Sequence, residues 1–211
     1  MWPSSHLAIG YLLYTSYSHA RLRRSPSEFA AVLVLLGTQL PDLIDKPLAL
    51  VGVLPSGRAL GHSLLFGLPV IAIVGAVVYR RRGEITPSVA FGVSYLSALF
   101  FDGAQQFIQG ALVTDIREVS FWIWPLTPPA ERIVERLTVT PTVEYVVANK
   151  ASWTAANLPT GEDLKTLIRL FEVTVTAVAI GVWLFDGAPG LRTFRETVSW
   201  ARGTIGGDEG K

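Results

Sequence analysis

The chain has 211 residues, of which half are hydrophobic and only 17% are charged. Soluble domains usually carry about 25% charged residues, so this balance indicates an integral membrane protein. A formal net charge of +1 gives no sign of nucleic-acid binding, and the absence of cysteine excludes disulfides, thiolate nucleophiles and cysteine metal ligands. Any bound metal must therefore use histidines and carboxylates.

Five apolar runs predict an all-α fold, an integral membrane bundle of about five transmembrane helices. The runs are His6–Ala20, Phe29–Val53 with an interruption, Leu60–Tyr79, Ser88–Val113 and Leu164–Phe185. The first run is shorter than the usual span of about 17–25 residues. It lacks the basic leader of a cleaved signal peptide, so we interpret it as a span.

Three clusters of arginine predict the topology. They are Arg21, Arg23 and Arg24; Arg80, Arg81 and Arg82; and Arg192, Arg195 and Arg202. Positive charge near span ends favours the cytoplasmic side. Five spans with the N-terminus outside and the C-terminus in the cytoplasm place all three clusters inside, in a multi-pass protein of the cell membrane.

This topology divides the chain into a transmembrane domain, residues 1–190, and a cytoplasmic tail, residues 191–211. The domain includes one long external segment, Thr114–Asp163, whose sequence FWIWP (Phe121–Pro125) suits a membrane interface or a lid over an opening. The interface is the commoner use of such aromatics. The glycine-rich end of the tail, Gly203–Lys211, is expected to be disordered.

Ionisable side chains on four of the predicted spans lie at a similar depth. Counting about 1.5 Å per residue from the cytoplasmic span ends places His6, Asp42, Asp45, His62 and Asp102 about 20–27 Å along their helices. That level is the outer half of a hydrocarbon core about 30 Å thick. Charged groups inside a membrane mark functional sites by default. The sequence therefore predicts one site near the outer surface.

The backbone and the neighbouring polar residues favour a wet cavity at this level. Pro41 and Pro47 flank the two carboxylates of the second span and remove helical hydrogen bonds. Irregular backbone persists at membrane depth only where protein or water covers it. In the fourth span, Asp102, Gln106 and Gln109 follow helical spacing and form a polar stripe.

Four short motifs carry a family resemblance. They are SSHLAIGYLL with His6, LPDLID with Asp42 and Asp45, GRALGHSLLF with Arg58, His62 and Ser63, and YLSALFFD with Asp102. Over about the first 125 residues they resemble the membrane-bound, metal-dependent hydrolase family of bacteria and archaea, also described as inner-membrane hydrolases related to a LexA-binding protein. The resemblance implies metal ligation by His6, Asp42, His62 and Asp102, with Asp45 as a further ligand or a base.

Two positions depart from the family pattern. Gly57 replaces the first histidine of the usual H-R-G-x-T-H-S motif, and Ala98 stands where a histidine commonly precedes the last aspartate by four residues. Both departures remove imidazoles. The remaining histidines and carboxylates suit one divalent ion, Zn²⁺, Mn²⁺ or Fe²⁺, better than a two-metal centre.

The leading functional hypothesis is a membrane-embedded metal-dependent hydrolase acting on an ester or phosphoester of lipid or envelope origin. A metal-bound water attacks the substrate, Asp45 accepts its proton, and Arg58 is either a substrate clamp or a plain loop charge. The expected partners are the lipid bilayer and the substrate, with no nucleic acid.

Two alternatives stay open. One is a small transporter or ion-binding protein, and the other is a degenerate family member with a structural metal or none. A capping role for His6 and polar packing by Asp42 and Asp45 are the simplest non-catalytic interpretations. The inner halves of spans two and three, FAAVLVLL and LPVIAIVGAVVY, hold no ionisable group, which favours a one-sided site over a path across the membrane.

Overall fold

The structure, a computed structural model, describes residues 2–110, 116–126 and 161–205. Within these ranges all regular secondary structure is helical, which confirms the predicted all-α class. A π-helix, Ser18–Leu22, continues the first helix, and a 3₁₀-helix spans Ile116–Ile123. The six α-helices of the described ranges are α1 Pro3–Tyr17, α2 Glu28–Leu50, α3 Leu64–Arg82, α4 Thr86–Gly110, α5 Gly161–Phe185 and α6 Leu191–Ile205.

The helix limits differ from the predicted runs around the second and third spans. Helix α2 continues through Pro41 and Pro47, where the sequence predicts an interruption. Helix α3 begins four residues later than predicted because the hydroxyl of Ser63 caps it, accepting the N–H of Leu65 at 3.2 Å. Residues 51–63 therefore form a loop, which carries Arg58 and His62.

Parts of two sequence-based predictions lie outside the described residues. Of the external segment Thr114–Asp163, the structure describes only residues 116–126 and the backbone of 161–163. The tail begins with helix α6, which extends to Ile205 and so includes the first residues of the segment expected to be disordered. Residues 206–211 lie outside the described ranges.

Helices α1, α2 and α4 form the centre of the bundle. Gly37 on α2 allows a close approach to α4, because a Cβ at this position would lie 2.6 Å from the carbonyl oxygen of Phe91. Small residues commonly permit such contacts between helices in membranes. The core beneath this contact is apolar and includes Leu33, Val34 and Tyr95.

Two described helical segments are long and apolar enough to cross a membrane, Leu64–Arg82 and Thr166–Phe185. Little of either segment is buried inside the bundle, and Ile73 and Val173 are more than 60% exposed. In water such large apolar surfaces would be unfavourable, whereas lipid would cover them. Helix α1 has only 15 residues. The five-span topology therefore stays a prediction.

At the end of the bundle away from His6, one buried carboxylate joins α1 to the end of α5. Asp186 accepts hydrogen bonds from the hydroxyls of Tyr11 and Thr15 and contacts Nε2 of His19, each at 2.7 Å. Burial raises the pKa of the Asp186 carboxyl, but these hydrogen bonds outweigh it and hold that pKa below its usual value. The contact fixes the position of α1.

The predicted topology can be tested with single cysteines, since the natural chain has none. We expect an impermeant maleimide to label Leu126→Cys in intact cells and to label Glu84→Cys only after permeabilisation, because arginine-rich ends stay inside. Both positions are exposed, so access of the reagent is not limited by packing. Labelling of Glu84→Cys but not Leu126→Cys in intact cells would reverse the topology.

Candidate metal centre

The carboxylate of Asp45 organises the loop between α2 and α3. It is fully buried and accepts three backbone N–H groups, from Ala59 at 2.8 Å, Gly61 at 2.7 Å and His62 at 3.2 Å. Glycine is required at position 61, since a Cβ there would lie 2.6 Å from the carbonyl oxygen of Pro41. The loop is thereby fixed against α2.

The same carboxylate orients the imidazole of His62. Oδ2 of Asp45 lies 2.8 Å from Nδ1, while Nε2 lies 3.0 Å from Oδ2 of Asp102 and 3.7 Å from Oδ1 of Asp42. A proton on Nδ1 satisfies Asp45 and turns the lone pair of Nε2 toward two groups that only accept hydrogen bonds. Nε2 therefore needs either a second proton or a cation between it and these carboxylates.

Asp42, His62 and Asp102 each offer a ligand atom, and these atoms all lie within 4.8 Å of one another. Ligands about 2.0–2.2 Å from a tetrahedral ion are separated from each other by about 3.4 Å. The 3.0 and 3.7 Å distances from His62 Nε2 to the two carboxylates lie on either side of that value. The three residues could therefore hold one divalent ion, with Asp45 as the outer carboxylate that contacts the far side of the histidine ring.

His6, delivered by α1, approaches this group through Asp102. Its Nε2 lies 3.1 Å from Oδ1 of Asp102, but His6 is not part of the three-residue cluster. Its Nδ1 is buried and has no hydrogen-bond partner in the described part of the chain. A buried polar atom in that state usually binds a water or an ion.

Two cations balance the carboxylates. Arg58 donates from Nε to Oδ2 of Asp102 at 3.2 Å and reaches Oδ1 with Nη2 at 3.5 Å. Lys46 donates to Oδ2 of Asp42 at 2.6 Å. The side chain of Arg58 is one-third exposed and that of Lys46 more than half exposed, so both can move away when another cation binds.

The aromatic sequence FWIWP lies against the site. The ring of Phe121 contacts the imidazole of His62 edge-on, with 6.0 Å between ring centroids. The hydroxyl of Ser63, the residue after His62, donates to the carbonyl of Trp124 at 2.6 Å. Of the two uses predicted for FWIWP, this position favours the lid.

A comparison with protein families identifies the chain at the level of its family. The family model of the YdjM inner membrane protein matches residues 1–185. The chain belongs to this family. It is therefore an inner-membrane protein, which confirms the membrane part of the sequence-based resemblance. The YdjM description names no reaction and no metal, so hydrolase activity and metal dependence stay predictions. Neither the curated proteins nor the solved structures gave a match.

Two polar contacts of this YdjM family member were not anticipated from the sequence. Glu172 on α5 is buried and accepts the N–H of Trp2 at 3.1 Å, one turn before His6. The sequence did contain a signal for this contact, because Glu172 is the one acidic residue in the apolar run Leu164–Phe185. The hydroxyl of Tyr95 donates to the carbonyl of Gly61, and no sequence pattern indicates that contact. The side chains of Gln106 and Gln109 lie outside the described residues.

The contacts of Asp45 predict a large difference between two neighbouring carboxylates. We expect Asp45→Asn to lower stability by about 3–5 kcal/mol, since it removes a buried charge that three N–H groups and an imidazole require. The matched variant Asp42→Asn should cost less, about 1 kcal/mol, because it disrupts a partly exposed i,i+4 pair with Lys46 and a longer, 3.7 Å approach to Nε2 of His62. Thermal unfolding in detergent with a chelator measures both. Equal unfolding midpoints for the two variants would contradict the assigned contacts.

Proposed function

We propose that this inner-membrane protein is a metal-dependent hydrolase that binds one divalent cation at Asp42, His62 and Asp102, with His6 beside them. The observation that carries the proposal is the position of His62 Nε2 between two carboxylates while Asp45 holds Nδ1. A histidine held by an outer carboxylate and facing further ligands is the usual environment of a protein-bound metal. Zn²⁺, Mn²⁺ and Fe²⁺ all accept such ligands.

A divalent ion bound at these residues would supply a Lewis acid and a water of lowered pKa. Contacts within the chain hold the candidate ligands in position. Asp45 keeps the His62 ring oriented, and the contact of His6 with Asp102 Oδ1 orients that carboxylate. The Phe121 ring shields one side of His62 from bulk water.

The position of Arg58 favours a phosphoester over a carboxylic ester. Its guanidinium presents a planar fork that matches phosphate oxygens, and it already lies beside the ligand cluster, on Asp102. A cation bound to Asp102 would weaken the ion pair between that carboxylate and Arg58. The guanidinium would then be available for an anionic substrate oxygen. The membership of an inner-membrane family is consistent with a phosphoester of lipid or envelope origin as the substrate.

The contacts of Asp45 favour a positioning role over the proton transfer expected from the sequence. Both oxygens are engaged by backbone N–H groups, and one also contacts the His62 ring. A general base must reach the proton that it accepts, directly or through one water. Asp45 lies behind the imidazole, on the side away from Asp102.

A transmembrane ion path receives less support. Among the described residues, the buried acids and histidines lie at two ends of α1: His6, Asp45, His62, Asp102 and Glu172 at its start, and the Asp186 carboxylate at its end. The core between these two ends includes Leu33, Val34 and Phe91. Buried hydroxyls of Thr38 and Ser94 lie there too, against Gly10, but a relay by carboxylates or imidazoles would require ionisable side chains along that path.

A metal-free ion-pair network is the second candidate, and it has a specific observation in its favour. Arg58 and Lys46 already pair with Asp102 and Asp42, so the carboxylates are not left without counter-charges. In that case the site would hold the helices together without catalysis. Measuring whether the protein binds a divalent metal distinguishes this ion-pair network from the hydrolase.

Metal content and turnover of purified variants test the proposal. We expect the wild type to bind close to one divalent ion per chain, and Asp42→Asn and His62→Ala to lose both the metal and phosphoester hydrolysis, because each variant removes an inner ligand. Elemental analysis and a chromogenic phosphoester measure the two quantities. Glu84→Gln, an exposed carboxylate just after the end of α3 that lies away from His62, is the control and should change neither.

Asp45→Asn separates the two roles considered for that residue. A positioning role predicts a metal affinity lowered about 10–100-fold, with the rate recovered at saturating metal. A base predicts normal affinity and a rate about 10²–10⁴-fold lower at saturating metal. A wild-type protein that binds no divalent ion at neutral pH would contradict the hydrolase proposal. Metal binding with cation movement in liposomes but no hydrolysis would favour the transporter.

A further inference from the structure

The chain reverses direction after α5 and returns to the start of α2. Ala188, Gly187 and Gly190 adopt positive φ in this turn, and the indole of Trp183 donates to the carbonyl of Pro189 at 2.9 Å. Five residues separate the end of α5 from Leu191. A chain of that length extends less than about 18 Å, so α6 must begin close to the end of the membrane-spanning segment.

Glu28, the first residue of α2, fixes the beginning of α6. Its Oε2 accepts the N–H of Gly190 at 2.8 Å and lies 3.4 Å from the N–H of Thr193. A carboxylate at this position also interacts favourably with the helix dipole. The beginning of α6 is thereby held at the level where α2 starts and α5 ends.

Helix α6 is amphipathic, and part of its apolar face is open. Leu191, Phe194 and Val198 follow the i, i+3, i+7 spacing of one helix face, and Ala201 and Ile205 continue that spacing in the sequence. Phe194 is 66% exposed. Leu191 and Val198 are partly buried, so within the described residues the open part of this face is centred on Phe194.

Helix α6 also carries arginines, and it begins at an end of the bundle that is rich in arginine. Arg192 and Arg195 on α6 are exposed, although Arg192 also contacts Glu196 at 3.3 Å in a solvent-exposed i,i+4 pair, and Arg202 follows in the sequence. The exposed clusters Arg21–Arg24 and Arg80–Arg82 belong to loops and helix ends that the predicted topology places on the same side. An anionic lipid surface complements this charge, whereas a second copy of the same basic surface would be repelled.

We propose that α6 is an interfacial helix that lies in the cytoplasmic leaflet, with Phe194 among the acyl chains and Arg192 and Arg195 on anionic lipid headgroups. The proposal rests on the topology proposed above and is independent of metal binding and hydrolysis. Apolar insertion combined with basic contacts is the usual means by which amphipathic helices bind such surfaces. The helix would thereby fix the cytoplasmic ends of α2 and α5 relative to the membrane.

Two labelled cysteine variants test this placement in the full-length protein. Phe194→Cys lies on the apolar face and Ser199→Cys on the opposite, polar side, and each would carry an environment-sensitive fluorophore. In vesicles containing phosphatidylglycerol, we expect lipids with quenching groups on the acyl chains to cause a larger loss of fluorescence at position 194 than at position 199. The difference should shrink in pure phosphatidylcholine vesicles or when Arg192→Gln and Arg195→Gln are added.

Equal access of water-soluble quencher to both positions in the anionic vesicles would overturn the proposal. Protection of position 194 in detergent, accompanied by cross-linking to a second copy, would also overturn it and assign the face to an oligomer interface. A difference that is unaffected by lipid charge and by the arginine variants would contradict the role of the headgroups. None of these results depends on metal content, so failure here is distinct from failure of the hydrolase.

Discussion

The candidate centre depends on one buried carboxylate, Asp45, and the four groups that it holds. Its three backbone hydrogen bonds fix residues 59–62 against α2, and its contact with Nδ1 fixes the orientation of the His62 ring. Without this anchor, fewer contacts would position the 13-residue loop between α2 and α3, among them the hydrogen bonds of Tyr95 to Gly61 and of Ser63 to Trp124. A buried charge that lost these partners would be strongly unfavourable, so the loop and the carboxylate require each other.

The remaining ligands depend on close packing between helices. Gly37 brings α2 and α4 together, and this contact sets Asp42 on α2 beside Asp102 on α4. Helix α1 contributes His6, and Glu172 holds the start of that helix through Trp2. The site thus assembles from four separate segments. Because Arg58 and Lys46 pair with the ligand carboxylates, a bound divalent ion would compete with these two cations.

Counting residues along apolar runs predicted the helical class and placed the ionisable groups at one end of the bundle. The helical class is confirmed, whereas the depth of these groups in a membrane stays a prediction that rests on hydrophobic length. The three-residue spacing of Asp42 and Asp45 predicted a shared face, but not which carboxylate would be buried. That outcome depends on backbone N–H groups of the loop, whose path carries no periodic signal. The capping of α3 by Ser63 was missed because it too depends on the path of this loop.

Two further features show how tertiary contacts override local expectation. Helix α2 continues through Pro41 and Pro47, although proline usually interrupts a helix. The carbonyl of Pro41 packs against Gly61, so this proline helps to position the loop that carries His62. The tail was expected to be irregular at its end because it is rich in glycine and charge. Helix α6 nevertheless continues to Ile205, into the first residues of that end, from a first turn where Glu28 accepts the N–H of Gly190.

The coordination of a bound metal is the central claim, and X-ray absorption spectroscopy of the zinc-loaded protein tests it most directly. The account predicts about one zinc per chain with only nitrogen and oxygen neighbours at about 2.0–2.2 Å, including outer-shell scattering from imidazole. The His62→Ala variant should lose that imidazole signal, while Glu84→Gln should keep it. A protein that retains no zinc, or a zinc environment without imidazole in the wild type, would contradict the assigned centre.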